Sequence, residues 1–156
     1  VWLGEDESVV ADGLGANDDI EAIRQLKARY FRMMDTKDWA GLADVFTPDV
    51  EIDVTGEGGG VTTSVDEYLP FLRSEIEDVI TVHHGHMPEI ELTSPTTARG
   101  IWALEDQLWW PEGRPIRYMH GFGHYHETYE KIDAGWRISS MTITRLHRLV
   151  EPPPPS

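Results

Sequence analysis

Thr97-Ala-Arg-Gly-Ile-Trp-Ala-Leu-Glu-Asp-Gln-Leu-Trp-Trp110 reads as one long β-strand, rich in branched and aromatic residues and free of proline. Side chains in a strand alternate between faces. Ala98, Gly100, Trp102, Leu104, Asp106, Leu108 and Trp110 share one face, and Arg99, Ile101, Ala103, Glu105, Gln107 and Trp109 share the other. The first face is apolar except at Asp106. A carboxylate between Leu104 and Leu108 needs a partner, because an unpaired buried charge costs several kcal/mol or takes up a proton. The alternative is a bulge or strand end that lets Asp106 reach water. The apolar alternation continues on both sides, which favours the buried and paired reading.

Composition narrows the function classes. A chain of 156 residues is the size of one domain and can bury a substantial core. It has no cysteine, which removes disulfides, thiolate nucleophiles and Cys-based zinc sites and fits a reducing, cytoplasmic setting. A net charge of −15 repels phosphate backbones, so no nucleic-acid partner is expected. No apolar run approaches the roughly 20 residues of a membrane span, so no membrane partner is expected either. The opening residues show no basic and apolar leader pattern.

Upstream of the strand the pattern is helical. Residues 1–17 are acidic and aperiodic and read as a mobile arm. Asn17-Asp18-Asp19 has the composition of a helix start, followed by Ile20, Ile23, Leu26, Lys27, Tyr30, Phe31 and Met34 at three- and four-residue steps. A helix over 18–34 is predicted, with Tyr30 on its buried stripe. Asp35 follows at the C-terminal end, where an acid opposes the helix dipole and hints at another role. Asp38 is placed to cap a short helix over 39–46. Val50, Ile52 and Val54 alternate as a strand, and the glycine-rich 55–60 segment is a hairpin loop with no phosphate-loop context. Ser64 and Glu67 form a capping box for a helix over 65–78, in which Pro70 predicts a kink or a later start.

Downstream, strands are predicted over 87–92, over 116–131 and over 136–149, with Gly121 and Gly123 marking a bulge. Glu151 and four prolines end the chain as a solvated tail over 150–156. Helices followed by long antiparallel strands give the α+β class: a curved antiparallel sheet with three N-terminal helices on one face, over 18–149, enclosing an apolar pocket.

Two sets of residues carry chemistry. His83, His84, His86 and His120, His124, His126 form two clusters, and His124-x-His126 puts two imidazoles on one strand face. That spacing can serve a metal. The plainer reading, exposed strand histidines, is preferred, so no metal and no cofactor is expected. The second set is Tyr30, Asp35, His83 and Asp106. An imidazole oriented by a carboxylate is a general base near neutral pH, and a phenol can polarise a carbonyl or assist a leaving oxygen.

The ordered set Ile23-x6-Tyr30-x4-Asp35-x2-Asp38-Trp39, Leu42-x3-Phe46-Thr47-Pro48-Asp49, His83 to Ile90, Thr97-Ala98-x-Gly100-x-Trp102-x3-Asp106 and Gly135-Trp136-Arg137-Ile138 resembles the SnoaL-like group of the nuclear transport factor 2-like superfamily. The resemblance implies a cone-like α+β barrel with a closed apolar pocket. Dehydratase-like members carry Tyr and Asp on the first helix and a His–Asp dyad in the sheet. By position this implies catalytic roles for Tyr30, Asp35, His83 and Asp106, with His83 oriented by Asp106 and Asp35 holding Tyr30 or a water. His84 is the rival for His83 if the alignment slips by one residue. Arg145 is implied as a further polar pocket residue, and Trp102, Leu104 and Leu108 as the apolar wall.

The expected function is a cofactor-independent lyase or isomerase of dehydratase type, acting on an apolar carbonyl or hydroxy compound of polycyclic or steroid-like kind. The alternatives are a non-catalytic small-molecule binder and a helper subunit that docks on an oxygenase through its outer sheet face. A homodimer or higher oligomer is the expected assembly.

Overall fold

Thr97–Trp109 forms the expected strand at the heart of the fold, in a computed structural model that describes residues 7–133 and 135–153. Residues 1–6 of the expected arm, Ala134 in the last turn and residues 154–156 of the tail lie outside the described residues. In chain order the elements are α1 (Glu7–Asp35), α2 (Trp39–Ala43), β1 (Phe46–Asp53), β2 (Val61–Thr62), α3 (Val65–Ile76), β3 (Ile80–Ser94), β4 (Thr97–Trp109), β5 (Tyr118–Ile132) and β6 (Gly135–Glu151). The six strands make one curved, open sheet in the order β2-β1-β6-β5-β4-β3. All neighbours are antiparallel except β1 and β6. No described helix is long and apolar enough to cross a membrane.

The helical stripe read from spacing is the face that α1 buries. Ile23, Leu26, Tyr30 and Met34 are each at most 3% exposed. Burying such side chains stabilises by about 1.5–3 kcal/mol apiece. Phe31 of α1 comes so close to β3 that a Cβ on Gly85 would lie 2.7 Å from its ring. A glycine is therefore required there for the helix to seat.

Several boundaries differ from those expected. The helix begins by Glu7 and runs through the acidic triplet rather than starting at it. Asp19 is a docking contact instead of a start signal: it accepts hydrogen bonds from Lys131 Nζ at 2.7 Å and Trp136 Nε1 at 2.8 Å. Those bonds, that from Lys131 foremost, hold its carboxyl below the usual range. Asp38 does cap α2, accepting from the Gly41 amide at 3.0 Å, but the helix stops at Ala43 and β1 already starts at Phe46. α3 starts at Val65, as the Ser64 cap predicts, and continues through Pro70. The strand expected over 87–92 is the second half of β3, which a register shift between His86 and Glu89 divides; Met87 there has φ 27° and is 94% exposed. The bulge foreseen at Gly121 and Gly123 is a register shift between β5 and β6 at Phe122/Gly123. Its extra residue, Leu146, sits on β6, so β5 keeps an unbroken alternation.

That alternation carries Glu127 inward, opposite Lys27 of α1. Both side chains are fully buried and form an ion pair. Glu127 also accepts from the Tyr129 hydroxyl at 2.5 Å, which in turn accepts from Trp102 Nε1 at 2.8 Å. The Lys27 ammonium lies 3.5 Å from the Tyr125 ring centroid and 4.0 Å from that of Tyr30. Burial pushes the lysine down to about 8, with Glu127 opposing that drop. Such a pair adds little net stability over apolar residues, but removing one partner strands the other. Lys27→Met should therefore lower the unfolding free energy by about 3–5 kcal/mol. The double variant Lys27→Met/Glu127→Gln, which keeps an acceptor for Tyr129, should recover more than half of that loss. Urea unfolding followed by circular dichroism measures both.

Candidate active site

The polar groups over the inner face of the sheet come from several elements. Asp35, at the last residue of α1, reaches β3. Its Oδ1 meets His83 Nδ1 at 2.7 Å, its Oδ2 accepts the His83 backbone amide at 2.9 Å, and Oδ1 also accepts from Thr81 Oγ1 at 2.9 Å. Lys37 Nζ donates to the same Thr81 hydroxyl at 2.8 Å. Burial raises the carboxyl of Asp35, but the side-chain hydrogen bond and charge of His83, its amide and Thr81 together outweigh that and hold it below the usual range. An ionised carboxylate only accepts, so the proton of a neutral His83 ring sits on Nδ1. Nε2 is then the basic nitrogen, and it has no hydrogen-bond partner among the described residues. The mild conflict of an acid at the end of α1 is thus resolved by tertiary contact: the carboxylate belongs to the sheet.

The expected pairing of His83 with Asp106 is corrected by this geometry. The two residues are cross-strand neighbours on the same face. Yet Asp106 is taken by Arg145 of β6, whose Nη1 and Nη2 donate to its two oxygens at 2.8 and 2.7 Å. Arg145 crosses β5 to do this, passing over Gly121. A Cβ at Gly121 would lie 2.3 Å from Asp106 Oδ1 and 2.4 Å from Arg145 Nη1. The missing side chain is the gap through which the pair forms. A planar guanidinium fork satisfies both carboxylate oxygens, which a single imidazole nitrogen cannot. Asp106 is therefore buried and paired, as its place on β4 requires, but with an arginine.

Arg145 also donates to Glu57 of the β1–β2 loop, from Nε at 2.7 Å and Nη2 at 3.1 Å. Burial would weaken its charge, and the hydrogen bonds it donates to Asp106 and Glu57 overcome this, so its proton is held more firmly than usual. Glu57 was not singled out by sequence; a lone acid in a glycine-rich loop gives no signal. Asp35 likewise holds His83 rather than Tyr30.

Of these groups, His83, Arg145 and Glu57 border a cavity of about 450 Å³ between α1, α3 and the inner face of the sheet. Tyr30, His83, Tyr125 and Arg145 are among its polar lining, with Glu57, Tyr68, Glu75, Arg114 and Arg148, and Met34, Phe71, Leu72, Leu108, Trp110 and Ile143 are among its apolar lining. Tyr30 is 1% exposed. Burial, with Tyr125 and Tyr68 beside it, keeps its phenol protonated far above neutral pH. Of the expected apolar wall, Leu108 lines the cavity. Trp102 and Leu104 are not part of its lining: both are buried on the same strand face, but Trp102 packs against the Gly85 position and bonds Tyr129. His84 points outward and is exposed, which separates it from His83. Sequence reasoning missed Tyr68 and Tyr125, which line the cavity, and the Lys27–Glu127 pair behind them. The lysine within the apolar stripe of α1 was the available signal.

Among the described residues, no group of three or more His, Asp or Glu side chains is arranged to hold a metal ion.

Comparison with known proteins accords with this architecture. The sequence pattern of the SnoaL-like domain matches residues 16–142. A protein named as a probable cyclase, FGR4 of Gibberella zeae, is 25% identical over 134 residues, which span 80% of this chain and 89% of that protein. A candidate scytalone dehydratase from Novosphingobium aromaticivorans superposes with a TM-score of 0.77 at 20% identity, covering 86% of this chain and 89% of its own. A hexachlorocyclohexane dehydrochlorinase, LinA-type3 from Novosphingobium barchaimii, does so with a TM-score of 0.78 at 20% identity, covering 89% and 94%. At these identities the two structures speak for the fold alone.

The Asp35–His83 contact has a pH signature. An unfolded Asp titrates near about 3.9, and the folded value of Asp35 lies below the normal one. As pH falls, the unfolded chain takes up its proton first. The contribution of Asp35 to stability is therefore complete above the unfolded value and is lost as pH drops through the folded one. Wild type should be more stable than Asp35→Asn at pH about 5, and the gap should close below pH about 4. Urea midpoints of both proteins across that range give the answer.

Proposed function

Because the chain belongs to the SnoaL-like domain family, we propose that it is a cofactor-independent lyase or isomerase in which His83 Nε2 is the general base. The observation that carries this reading is the His83 ring, tied through Nδ1 to Asp35 and bordering the same cavity as Tyr30. The substrate is an apolar carbonyl or hydroxy compound of ring size, since Met34, Phe71, Leu72, Leu108, Trp110 and Ile143 give the cavity an apolar wall beside its polar groups. Nε2 takes a proton from the carbon next to the activating carbonyl. The C–H electron pair moves toward the carbonyl oxygen, and Tyr30, protonated at neutral pH, donates a hydrogen bond to the oxygen on which charge collects. Asp35 stabilises the imidazolium that results. In the elimination branch, the enolate pair reforms the carbonyl, a carbon–carbon double bond is made, and a β-hydroxyl departs; the imidazolium proton completes the water that leaves. In the isomerase branch, the same proton returns to a different carbon.

The names of the relatives support this class: a dehydratase loses water, and a dehydrochlorinase loses hydrogen chloride. Asp106 is not a member of the dyad in this reading. It is paired with Arg145, which sets the electrostatics of the polar end of the cavity and, by also bonding Glu57, holds the loop after β1 against the sheet.

A screen of cyclic β-hydroxyketones for loss of water, read by ultraviolet absorbance of the enone, tests the reading. His83→Ala should lower kcat by about 10²–10⁴-fold, with an unchanged circular dichroism spectrum. Tyr30→Phe should lower kcat more than it raises KM, because its bond strengthens as charge develops. Full activity in His83→Ala would reject the assignment.

A further inference from the structure

Thr81 stands two residues before His83 on the same inner face of β3, opposite Leu108 of β4. It is 3% exposed. Its hydroxyl has two partners, Asp35 Oδ1 at 2.9 Å and Lys37 Nζ at 2.8 Å. An ammonium has three donors and no acceptor, and an ionised carboxylate only accepts. The direction of both bonds follows. Lys37 donates to the hydroxyl oxygen, so the hydroxyl proton is left to point at Asp35. A threonine hydroxyl can turn to suit its surroundings, and here the lysine settles which way it turns. Burial pulls the Lys37 amine below the usual lysine range and the Asp35 charge opposes that, leaving an ammonium at neutral pH. Among the described residues Lys37 forms no direct ion pair with Asp35; the Thr81 hydroxyl stands between them.

The backbone of Lys37 is a second, independent observation. α1 ends at Asp35, and Lys37 follows with φ 60°. That is the left-handed conformation in which a glycine commonly closes a helix, and any side chain there is strained relative to glycine. A non-glycine residue held in such a conformation points to a role for its side chain. Lysine occupies the position, half-buried, with Nζ against β3. The strand answers with three donors to one carboxylate. Thr81 Oγ1 and His83 Nδ1 share Asp35 Oδ1, and the His83 amide takes Oδ2. Asp35, Lys37 and Thr81 do not themselves line the cavity.

We propose that Thr81 and Lys37 are positioning residues for the general base. Lys37 aligns the Thr81 hydroxyl, that hydroxyl locks the Asp35 carboxylate, and the carboxylate holds the Nδ1 proton of His83 so that Nε2 is the nitrogen left to react. The proposal rests on the reading of His83 as the base. Both residues act through Asp35 and touch no substrate, so they govern turnover and leave substrate binding alone. Without the hydroxyl, Asp35 keeps only bonds from His83 itself, and nothing fixed to the strand before it stops the carboxylate from turning with the ring. Losing one hydrogen bond to a charged group of this kind slows turnover by about tenfold.

Three variants separate the parts. Thr81→Val fills the same space without a hydroxyl, Thr81→Ser keeps the hydroxyl, and Lys37→Gly removes the donor at a backbone position that favours glycine. Exchange of the His83 Nδ1 proton with water, followed by NMR and assigned by its loss in His83→Gln, needs no substrate. It should be at least about tenfold faster than wild type in Thr81→Val and Lys37→Gly, and close to wild type in Thr81→Ser. The urea midpoint of Lys37→Gly should match wild type, because relief of the backbone offsets the lost bond. With a substrate from the cyclic β-hydroxyketone screen, kcat should fall about tenfold in Thr81→Val and Lys37→Gly while KM stays within about twofold, and Thr81→Ser should restore most of the rate. A merely structural role would lower the urea midpoints and leave the exchange unmoved. Exchange as slow as wild type in Thr81→Val or in Lys37→Gly, or Thr81→Ser exchanging as fast as Thr81→Val, would overturn the proposal. Full activity in His83→Ala rejects the base and leaves the exchange result standing, whereas unchanged exchange rejects the roles of Thr81 and Lys37 and leaves the base. If Thr81→Val fails to fold, Lys37→Gly decides alone.

Discussion

Charge in the space between α1 and the inner face of the sheet is paired, because little water reaches it. Three sets of paired side chains lie there or at its border, and each joins elements that are far apart in sequence. Lys27 and Glu127 tie α1 to β5. Asp35 and His83 tie the end of α1 to β3. Asp106, Arg145 and Glu57 tie β4 to β6 and to the loop after β1. Buried pairs of this kind add little net stability, but each is costly to break singly, so together they fix one seating of the helix on the sheet. Within that set of matched charges, His83 keeps a ring nitrogen with no partner among the described residues. That basic atom borders the same cavity as the buried phenol of Tyr30.

Glycines decide which pairs form. Gly121 leaves the gap through which Arg145 reaches Asp106, and Gly85 leaves the space in which Phe31 seats α1 against β3. A side chain at the first would drive the guanidinium off the carboxylate, and at the second would lift the helix whose last residue holds His83. The register of the sheet matters equally. A one-residue slip in β3 would turn His83 out and His84 in, exchanging a site residue for a surface one. The same alternation keeps the two faces of the sheet chemically distinct: paired carboxylates and cations within, titratable imidazoles without.

Much of this was legible in the chain. The stripe of α1 identified Tyr30 as buried, the dipole conflict marked Asp35, and the alternation of β4 required a partner for Asp106. The partner itself was not legible, because strand order is a tertiary fact: nothing local says that β6 lies two strands from β4 with a glycine between. Glu127 was hidden by the two glycines of β5, across which no face could be assigned; the extra residue that resolves the bulge is Leu146 on the neighbouring strand. Residues 7–17 read as an arm because they are acidic, contain Gly13 and Gly15 and show no clear periodicity, yet the helix runs through them. Lys27 stood as a cation in the apolar stripe, but its buried pair with Glu127 was not read from that anomaly.

The account rests on the state of one ring. Nitrogen-15 NMR of the histidine side chains at pH about 8, where a free imidazole is neutral, with His83 assigned by comparison with His83→Gln, reads that state directly. The prediction is a single neutral tautomer protonated at Nδ1, with Nε2 bare, and loss of that preference in Asp35→Asn but not in Asp106→Asn. A ring protonated at Nε2, or a tautomer that responds to Asp106 and ignores Asp35, would contradict it.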